Sequence, residues 1–314
     1  MTTRTTYVVA CLSGHGIAAE VMAEASRALA RVSRLHGFSV HETHPPFGSE
    51  ARTQSGHALP AATRSATLGA QAVLVAARFD PALADVESEL DLRARLDRVV
   101  FGQHGSVTVL SPLATSTFEW TLARSFDVAR ASRARVAAVG GDDAWESAFA
   151  HEAARHDGVA AESMSVKAAV HDLAFEPERF DVIVTPEPYA EALLGFVAHG
   201  RTPRVAASSR LAGSGPSVFA PGHGAAADIA GQGVANPESM LLATALMLGE
   251  GLGERRAAET LTNAVLEASA HGVRTPDLVR VGVGATTREY ADVVISQLPH
   301  AMTTPEFYRE AIAG

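Results

Sequence analysis

Cysteine and lysine are almost missing from this sequence. Cys11 is the one cysteine in 314 residues, so no internal disulfide can form, as suits a reducing cytoplasm. Lys167 is the one lysine, and the other 25 of the 26 basic side chains are arginines. Aromatic residues make up 6% of the chain and no basic run carries interleaved aromatics. With a formal net charge of −9, this argues against nucleic acid or an anionic membrane as the main partner. No apolar run reaches the length of a membrane span, and the short one near the N-terminus predicts no signal peptide. The 13 histidines show neither H-x-x-x-H nor H-E-x-x-H spacing, so no zinc site is indicated. These absences lead to the expectation of a soluble cytoplasmic protein whose partner is a small molecule.

What is present is an alternating text. Hydrophobic residues at 47% and charged residues at 19% are ordinary for a globular protein. "TYVVACL" (6–12), "QAVLVAA" (71–77), "SVTVL" (106–110), "RVAAVGG" (135–141) and "FDVIVT" (180–185) read as buried strands. An amphipathic helix runs from Ile17 to a stop at Gly37, and further helical stretches fall near 118–134, 144–156 and 237–250. Alternation of this kind predicts an α/β fold with a mostly parallel sheet. The Gly/Ser/Pro-rich stretch "RLAGSGPSVFAPGHG" (210–224) is the candidate for a domain crossing or cleft loop, and "EFYREAIAG" for a terminal helix. Trp120 and Trp145 fall on helical stretches and read as packing residues.

Two glycine-rich segments could present backbone N–H groups to an anion. "SGHGIAAE" (13–20) lacks the full G-x-G-x-x-G pattern, and a tight strand-to-helix turn accounts for it. "PGHGAAADIAGQGVANPESM" (221–240) is longer and ends in Asn236-Pro237, a helix start with Asn as cap and Pro at the first helical position. Ordering so much glycine costs entropy, and a ligand approached closely by backbone would offset it.

At this point the chain resembles the isocitrate/isopropylmalate dehydrogenase family, the β-decarboxylating 2-hydroxyacid dehydrogenases. "SGHGIAAEV" is similar to the family's G-D-G-I-G-P-E-V, and "FGSEARTQSGHALPAAT" to its G-x-x-A-x-x-x-x-G-x-x-L-P-x-x-T. "GHGAAADIAGQGVANP" is similar to the adenosine-binding H-G-S-A-P-D-I-A-G-x-G-x-A-N-P, and "RTPDLVRVGVGATTREYADVVISQL" to the closing T-P-D-L-G-G segment. The resemblance implies an isopropylmalate-dehydrogenase-like two-domain α/β/α fold with a cleft between the domains. The larger α/β domain would hold residues 1–98 and 214–314, with the dinucleotide-type loop; the smaller would hold 99–213, with the dimer contacts. It also implies a homodimer whose cleft is shared between subunits. His223, Gly224, Asp228, Ile229 and Asn236 would line an adenosine pocket. The carboxylate of Asp228 there would accept from a ribose 2′-hydroxyl and repel a 2′-phosphate, favouring NAD over NADP.

The same comparison exposes departures. The family's lysine, in V-D-K-A-N, corresponds to Gly141 in "AAVGGDD". Its three metal-binding aspartates correspond to Lys167 in "VKAAVH", and to Glu191 and Gly195 in "TPEPYAEALLG". One carboxylate facing a lysine is no Mg2+ site, so no metal is expected. Of the arginines that clamp the substrate, Arg93 in "LRARLD" is kept, whereas "FGQH" and "LSPLAT" replace the later ones, and the tyrosine-bearing arm is shortened. His15 stands in place of an aspartate, and His15 and His104 could face the cleft. Ser111, Ser116 and Thr117 fall where substrate loops would lie, without a nameable base.

The expectation is therefore an enzyme other than a standard Mg-dependent β-decarboxylating dehydrogenase. The leading reading is a metal-independent relative repurposed for a non-redox biosynthetic step, an isomerase, cyclase or lyase. Lys167 would be catalytic, with Glu191 as its counter-charge and Arg93 on the substrate. The alternatives are an NAD-dependent dehydrogenase of altered substrate specificity and a non-catalytic binding or scaffold homologue.

Overall fold

The computed structural model describes residues 4–101, 105–114, 116–199, 205–279 and 281–301. The chain divides into two compact units, one built from both chain ends (to Glu89 and from Val218) and one continuous from Leu90 to Ser217. In chain order the first unit opens with β1 (Thr6–Leu12), α1 (Ala18–His36), β2 (Ser39–Thr43), α2 (Gly48–Ser55), α3 (Ala61–Leu68), β3 (Ala72–Val75) and the short α4 (Leu83–Glu87). The second unit follows with β4 (Asp91–Val100), β5 (Ser106–Pro112), α5 (Phe118–Arg130), β6 (Arg135–Val139), α6 (Asp143–Ala153) and β7 (Ala160–Met164). It continues through α7 (Val166–Phe175), β8 (Val182–Val184), α8 (Glu187–Ala198) and β9 (Val205–Ser214). Back in the first unit come β10 (Ser217–Pro221), α9 (Glu238–Leu246), α10 (Arg255–Ala270) and α11 (Thr287–Ala301).

In the first unit the strand order is β2-β1-β3-β10, with β2 and β3 both parallel to β1. Val9 to Leu12 and Ala72 to Val75 are fully buried, which is why these strands read as unbroken apolar runs. Helix α1 buries Val21, Met22, Ala25, Ala28, Leu29 and Val32, one face at helical spacing, and stops at Gly37 with φ +80°. Each large aliphatic side chain on that face stabilises the unit by on the order of 1.5–3 kcal/mol. Helix α9 runs on into a π-turn over Met247–Gly251, so the helix expected over 237–250 has two parts. Buried Glu238 at the start of α9 accepts from Ser269 Oγ at 2.9 Å, and that hydroxyl lies 2.9 Å from the hydroxyl of Tyr290. Burial pushes the Glu238 carboxyl above its usual range, although Ser269, Tyr290 and nearby Arg274 oppose this.

In the second unit the order is β9-β4-β5-β8-β6-β7. Strands β5, β8, β6 and β7 run parallel, but β4 is antiparallel to both neighbours, so this one strand departs from the expected parallel pattern. Its text, "DLRARLDRVV", reads poorly as a strand because Arg95 and Asp97 are buried within it. The boundary expected between residues 98 and 99 would cut β4, which lies whole in the second unit. The stretch 210–224 forms the end of β9 and all of β10 rather than a loop throughout, and the chain passes between units within it. Val99, Val107, Val109, Ile183, Leu193 and Val197 are part of a core between this sheet and α7 and α8. The expected terminal helix over 306–314 lies outside the described residues, as does His104. No helix of the described residues is long and apolar enough to cross a membrane.

Candidate functional site

The glycine-rich loop of the first unit is seated on the turn that follows β1. Gly16 has φ +69°, and a Cβ there would stand 1.9 Å from the carbonyl oxygen of Ala225. Only glycine lets the two backbones approach this closely, and Ile17 N–H then donates to that carbonyl at 2.8 Å. In the first turn of α1, the carboxylate of Glu20 accepts from the backbone N–H groups of Gly231 and of Gly233, the latter at 3.0 Å. Thr287 closes the far side, donating its N–H to Gly233 at 2.9 Å and its hydroxyl to the Ala235 carbonyl at 2.7 Å. Asn236 Oδ1 accepts from Glu238 N–H at 2.9 Å, while α9 itself begins one residue later than the Asn-Pro signal predicts. The loop is thus ordered by the chain itself, which lowers the entropy a ligand must remove.

Two features of this loop remain unsatisfied. Ala226 is held at φ +37°, a left-handed conformation that costs a non-glycine residue energy. The ring of His223 lies with Nδ1 3.0 Å from the carbonyl of Gly224. A carbonyl only accepts, so Nδ1 carries the proton and Nε2 is left as an acceptor. That Nε2 is buried and has no hydrogen-bond partner among the described residues. Burial pushes the His223 pKa below its ordinary value, against the Gly224 bond, so the ring is neutral near pH 7. A buried acceptor without a donor suits a ligand amine or hydroxyl. Asp228 is exposed on the short 3-10 turn Ala227–Ile229, and Gly224 and Ile229 are half-buried. His15 is tied to buried Asp80 at 3.1 Å. Glu20 is the residue that reading the sequence overlooked, although it stands in the quoted "SGHGIAAEV".

In the second unit the ends of β6, α7 and α8 converge. A Cβ on Gly140 would meet the side chains of Val166 and Tyr189, both at 3.0 Å. Next to it, Gly141 has φ +106°, and a Cβ would lie 2.5 Å from the indole of Trp145. Trp145 is buried and packs on Phe118, with ring centroids 5.5 Å apart. The position that the resemblance assigns to a lysine is therefore committed to glycine by backbone and neighbour alike.

Lys167 lies in the first turn of α7, which Ser165 caps by accepting from Ala168 N–H at 3.2 Å. It is exposed and makes no hydrogen bond or ion pair among the described residues. A cation at this end of a helix is disfavoured by the helix dipole, so stability does not account for the only lysine. Glu191 on α8 accepts from the guanidinium of Arg95, a buried residue of β4 also paired with Asp97. Within one chain the cation on Glu191 is Arg95, and Lys167 does not pair with Glu191 among the described residues. Burial alone would lower the Arg95 pKa, but the two carboxylates outweigh it and hold it above its usual value. Arg93 is half-exposed with Nε 2.7 Å from Asp91. Ser111 faces Arg95 across the β4–β5 ladder and is buried, while the Ser116 hydroxyl donates to the Thr117 carbonyl at 3.1 Å.

Residues 102–294 match the family model for isocitrate/isopropylmalate dehydrogenase. The chain belongs to this family. A 3-isopropylmalate dehydrogenase of Bacillus cereus (strain ATCC 14579) is 30% identical over 345 residues, covering 92% of this chain and 96% of the relative. One from Streptococcus thermophilus (strain CNRZ 1066) is 29% identical, covering 92% of this chain and 99% of its own length. Among solved structures, a β-decarboxylating dehydrogenase of Thermococcus kodakarensis superposes with a TM-score of 0.79 at 21% identity, over 96% of this chain and 98% of that one. An isocitrate dehydrogenase of Methylococcus capsulatus gives 0.76 at 21% identity, over 93% and 99%. These two likenesses establish the fold, as expected from the sequence.

Within this family member the two groups that the resemblance implies fare differently. The positions that the resemblance assigns to the metal aspartates, Lys167, Glu191 and Gly195, offer one carboxylate that is already bound to Arg95, a donor set that does not fit Mg2+. The loop from His223 to Asn236, with its orphaned Nε2, fits an adenine dinucleotide.

Proposed function

We propose that this family member is an NAD-dependent dehydrogenase of altered substrate specificity that works without a divalent metal. The observation that carries the reading is the ordered glycine loop: it is held by Glu20, Ile17 and Thr287, and it keeps an unused buried acceptor on His223. NAD would supply hydride acceptance when bound. His223 Nε2 would accept from the adenine amine, and Gly224 and Ile229 would flank the ring. Asp228 would accept from a ribose hydroxyl and repel the phosphate of NADP. Lys167, an ammonium without a partner among the described residues, would polarise the substrate carbonyl in place of the metal, and Arg93 would exchange Asp91 for a substrate carboxylate. The homodimer implied by the resemblance belongs to the same proposal.

Calorimetric titration tests the first part. NAD+ binds and NADP+ binds at least ten-fold more weakly; failure of both to bind refutes the dehydrogenase reading. Turnover is unaffected by EDTA, and Lys167→Met abolishes it while leaving NAD+ affinity unchanged. A second reading, the non-redox isomerase, cyclase or lyase step, is favoured by one observation. Lys167 has no partner among the described residues while Glu191 is paired with Arg95, and an unpaired ammonium would stabilise an enolate without a hydride acceptor. Product formation with no change in NADH absorbance, still dependent on Lys167, selects it.

A further inference from the structure

Away from the glycine loop, the only cysteine of the chain is not alone. Strands β1 and β2 pair in parallel with Val9 beside Glu42 and Ala10 beside Thr43. One step further along the same register, Cys11 comes beside His44, and Cys11, Glu42 and His44 share one face of the sheet. Their ligand atoms all lie within 4.8 Å of one another. Cys11 Sγ is 3.6 Å from Glu42 Oε2, and His44 Nε2 is 3.4 Å from the same oxygen. Tetrahedral zinc, with Zn–S near 2.3 Å and Zn–N and Zn–O near 2.05 Å, requires ligand edges of about 3.6 Å for S···O and about 3.4 Å for N···O. Both observed spacings match the edges of a zinc polyhedron.

We propose that Cys11, Glu42 and His44 form a zinc site with water as the fourth ligand. The donor set, one thiolate, one imidazole and one carboxylate, is the mixture that zinc prefers over magnesium or calcium. Cys11 is fully buried and Glu42 largely so, whereas His44 is 51% exposed and gives the ion its way in. Ser26 on α1 donates to the same Glu42 oxygen, so the ion would tie both strands to the helix above them. Binding forms the Zn–S bond and releases the thiol proton, which in the free protein points at Glu42. The site lies at the C-terminal end of β1, next to the turn that grips the glycine loop, but it uses none of the residues assigned to NAD.

Cobalt is the probe, because a Co2+–thiolate bond gives a near-ultraviolet charge-transfer band that only Cys11 can supply. Full-length protein stripped with EDTA is titrated with CoCl2 and then with ZnCl2. One equivalent of Co2+ is expected to develop the band and tetrahedral d–d absorption, and one equivalent of Zn2+ to abolish both. Cys11→Ser removes the band. His44→Gln, at an exposed position, weakens Zn2+ binding at least ten-fold in competition with a chromophoric chelator. Absence of a thiolate band in the wild type overturns the proposal, as does Zn2+ affinity unchanged in His44→Gln.

Discussion

Replacing Glu20 by alanine isolates what holds the glycine loop in place. The carboxylate receives two backbone N–H groups, from Gly231 and Gly233, across more than two hundred residues of sequence. Hydrogen bonds to a charged acceptor are worth about 1.5–3 kcal/mol when buried. Here Gly231 is exposed and Glu20 half-buried, so about 1 kcal/mol each is the appropriate scale. Together they amount to roughly 2 kcal/mol, or about 30-fold in an equilibrium constant. Amide hydrogen exchange at Gly231 and Gly233 in Glu20→Ala should accelerate by about 30-fold relative to wild type, through local opening of the loop. The affinity for NAD+ should fall by a similar factor. Global stability should drop by a similar roughly 2 kcal/mol, because the lost bonds raise the closed native state relative to the unfolded chain as much as relative to the opened loop. Glu20→Gln, which keeps an acceptor and loses the charge, should fall between the two. If exchange at both glycines is unaltered in Glu20→Ala, Ile17 and Thr287 hold the loop on their own and the reasoning is wrong.

Three further outcomes follow from the geometry. Gly141→Lys should cost roughly 3 kcal/mol of stability, from a left-handed backbone and a collision with Trp145, and should not restore metal-dependent activity; an unchanged denaturation midpoint contradicts this. Glu238→Gln should flatten the pH dependence of stability. Because burial raises its folded pKa, Glu238 stabilises fully below its unfolded pKa of about 4.5, and that contribution is lost as pH rises through the folded value. The wild type should therefore lose ground to the variant as pH increases from 4.5, and the opposite slope in urea titrations would reverse the assignment. Ala226→Gly should raise stability by about 1 kcal/mol by relieving φ +37°, as read by thermal denaturation.

Much of this architecture was legible in the sequence, for physical reasons that also explain the omissions. Strands β1, β3, β5, β6 and β8 are apolar runs buried on both faces, so composition alone reveals them. Strand β4 hides because Arg95 and Asp97 are buried within it, Arg95 pairing with both Asp97 and Glu191, and an apolar template rejects such a text. Strands β2 and β7 hide because most of their residues are partly or fully exposed. The loop residues His223 to Asn236 were found by their motif, whereas Glu20 was not. Its role depends on a contact between distant parts of the chain that no local pattern encodes. Lys167 was singled out by its rarity, whereas the Arg95–Glu191 pair was not foreseen, since Arg95 lies nearly a hundred residues before Glu191. The Cys11–Glu42–His44 cluster escaped for a related reason: its spacing exists across two strands and not along one.

The first unit is assembled from both ends of the chain, and this sets an order on its biogenesis. The second unit, continuous from Leu90 to Ser217, can close its core once its own last strand has been made. The first unit cannot, because β1 and α1 lack β10, α9, α10 and α11 until the final third is synthesised. Glu20 leaves the ribosome more than two hundred residues before the glycines it will hold. During that interval the face that α1 turns to α9, α10 and α11 has no cover, and ribosome-bound chains ending near residue 217 should be the form most sought by chaperones.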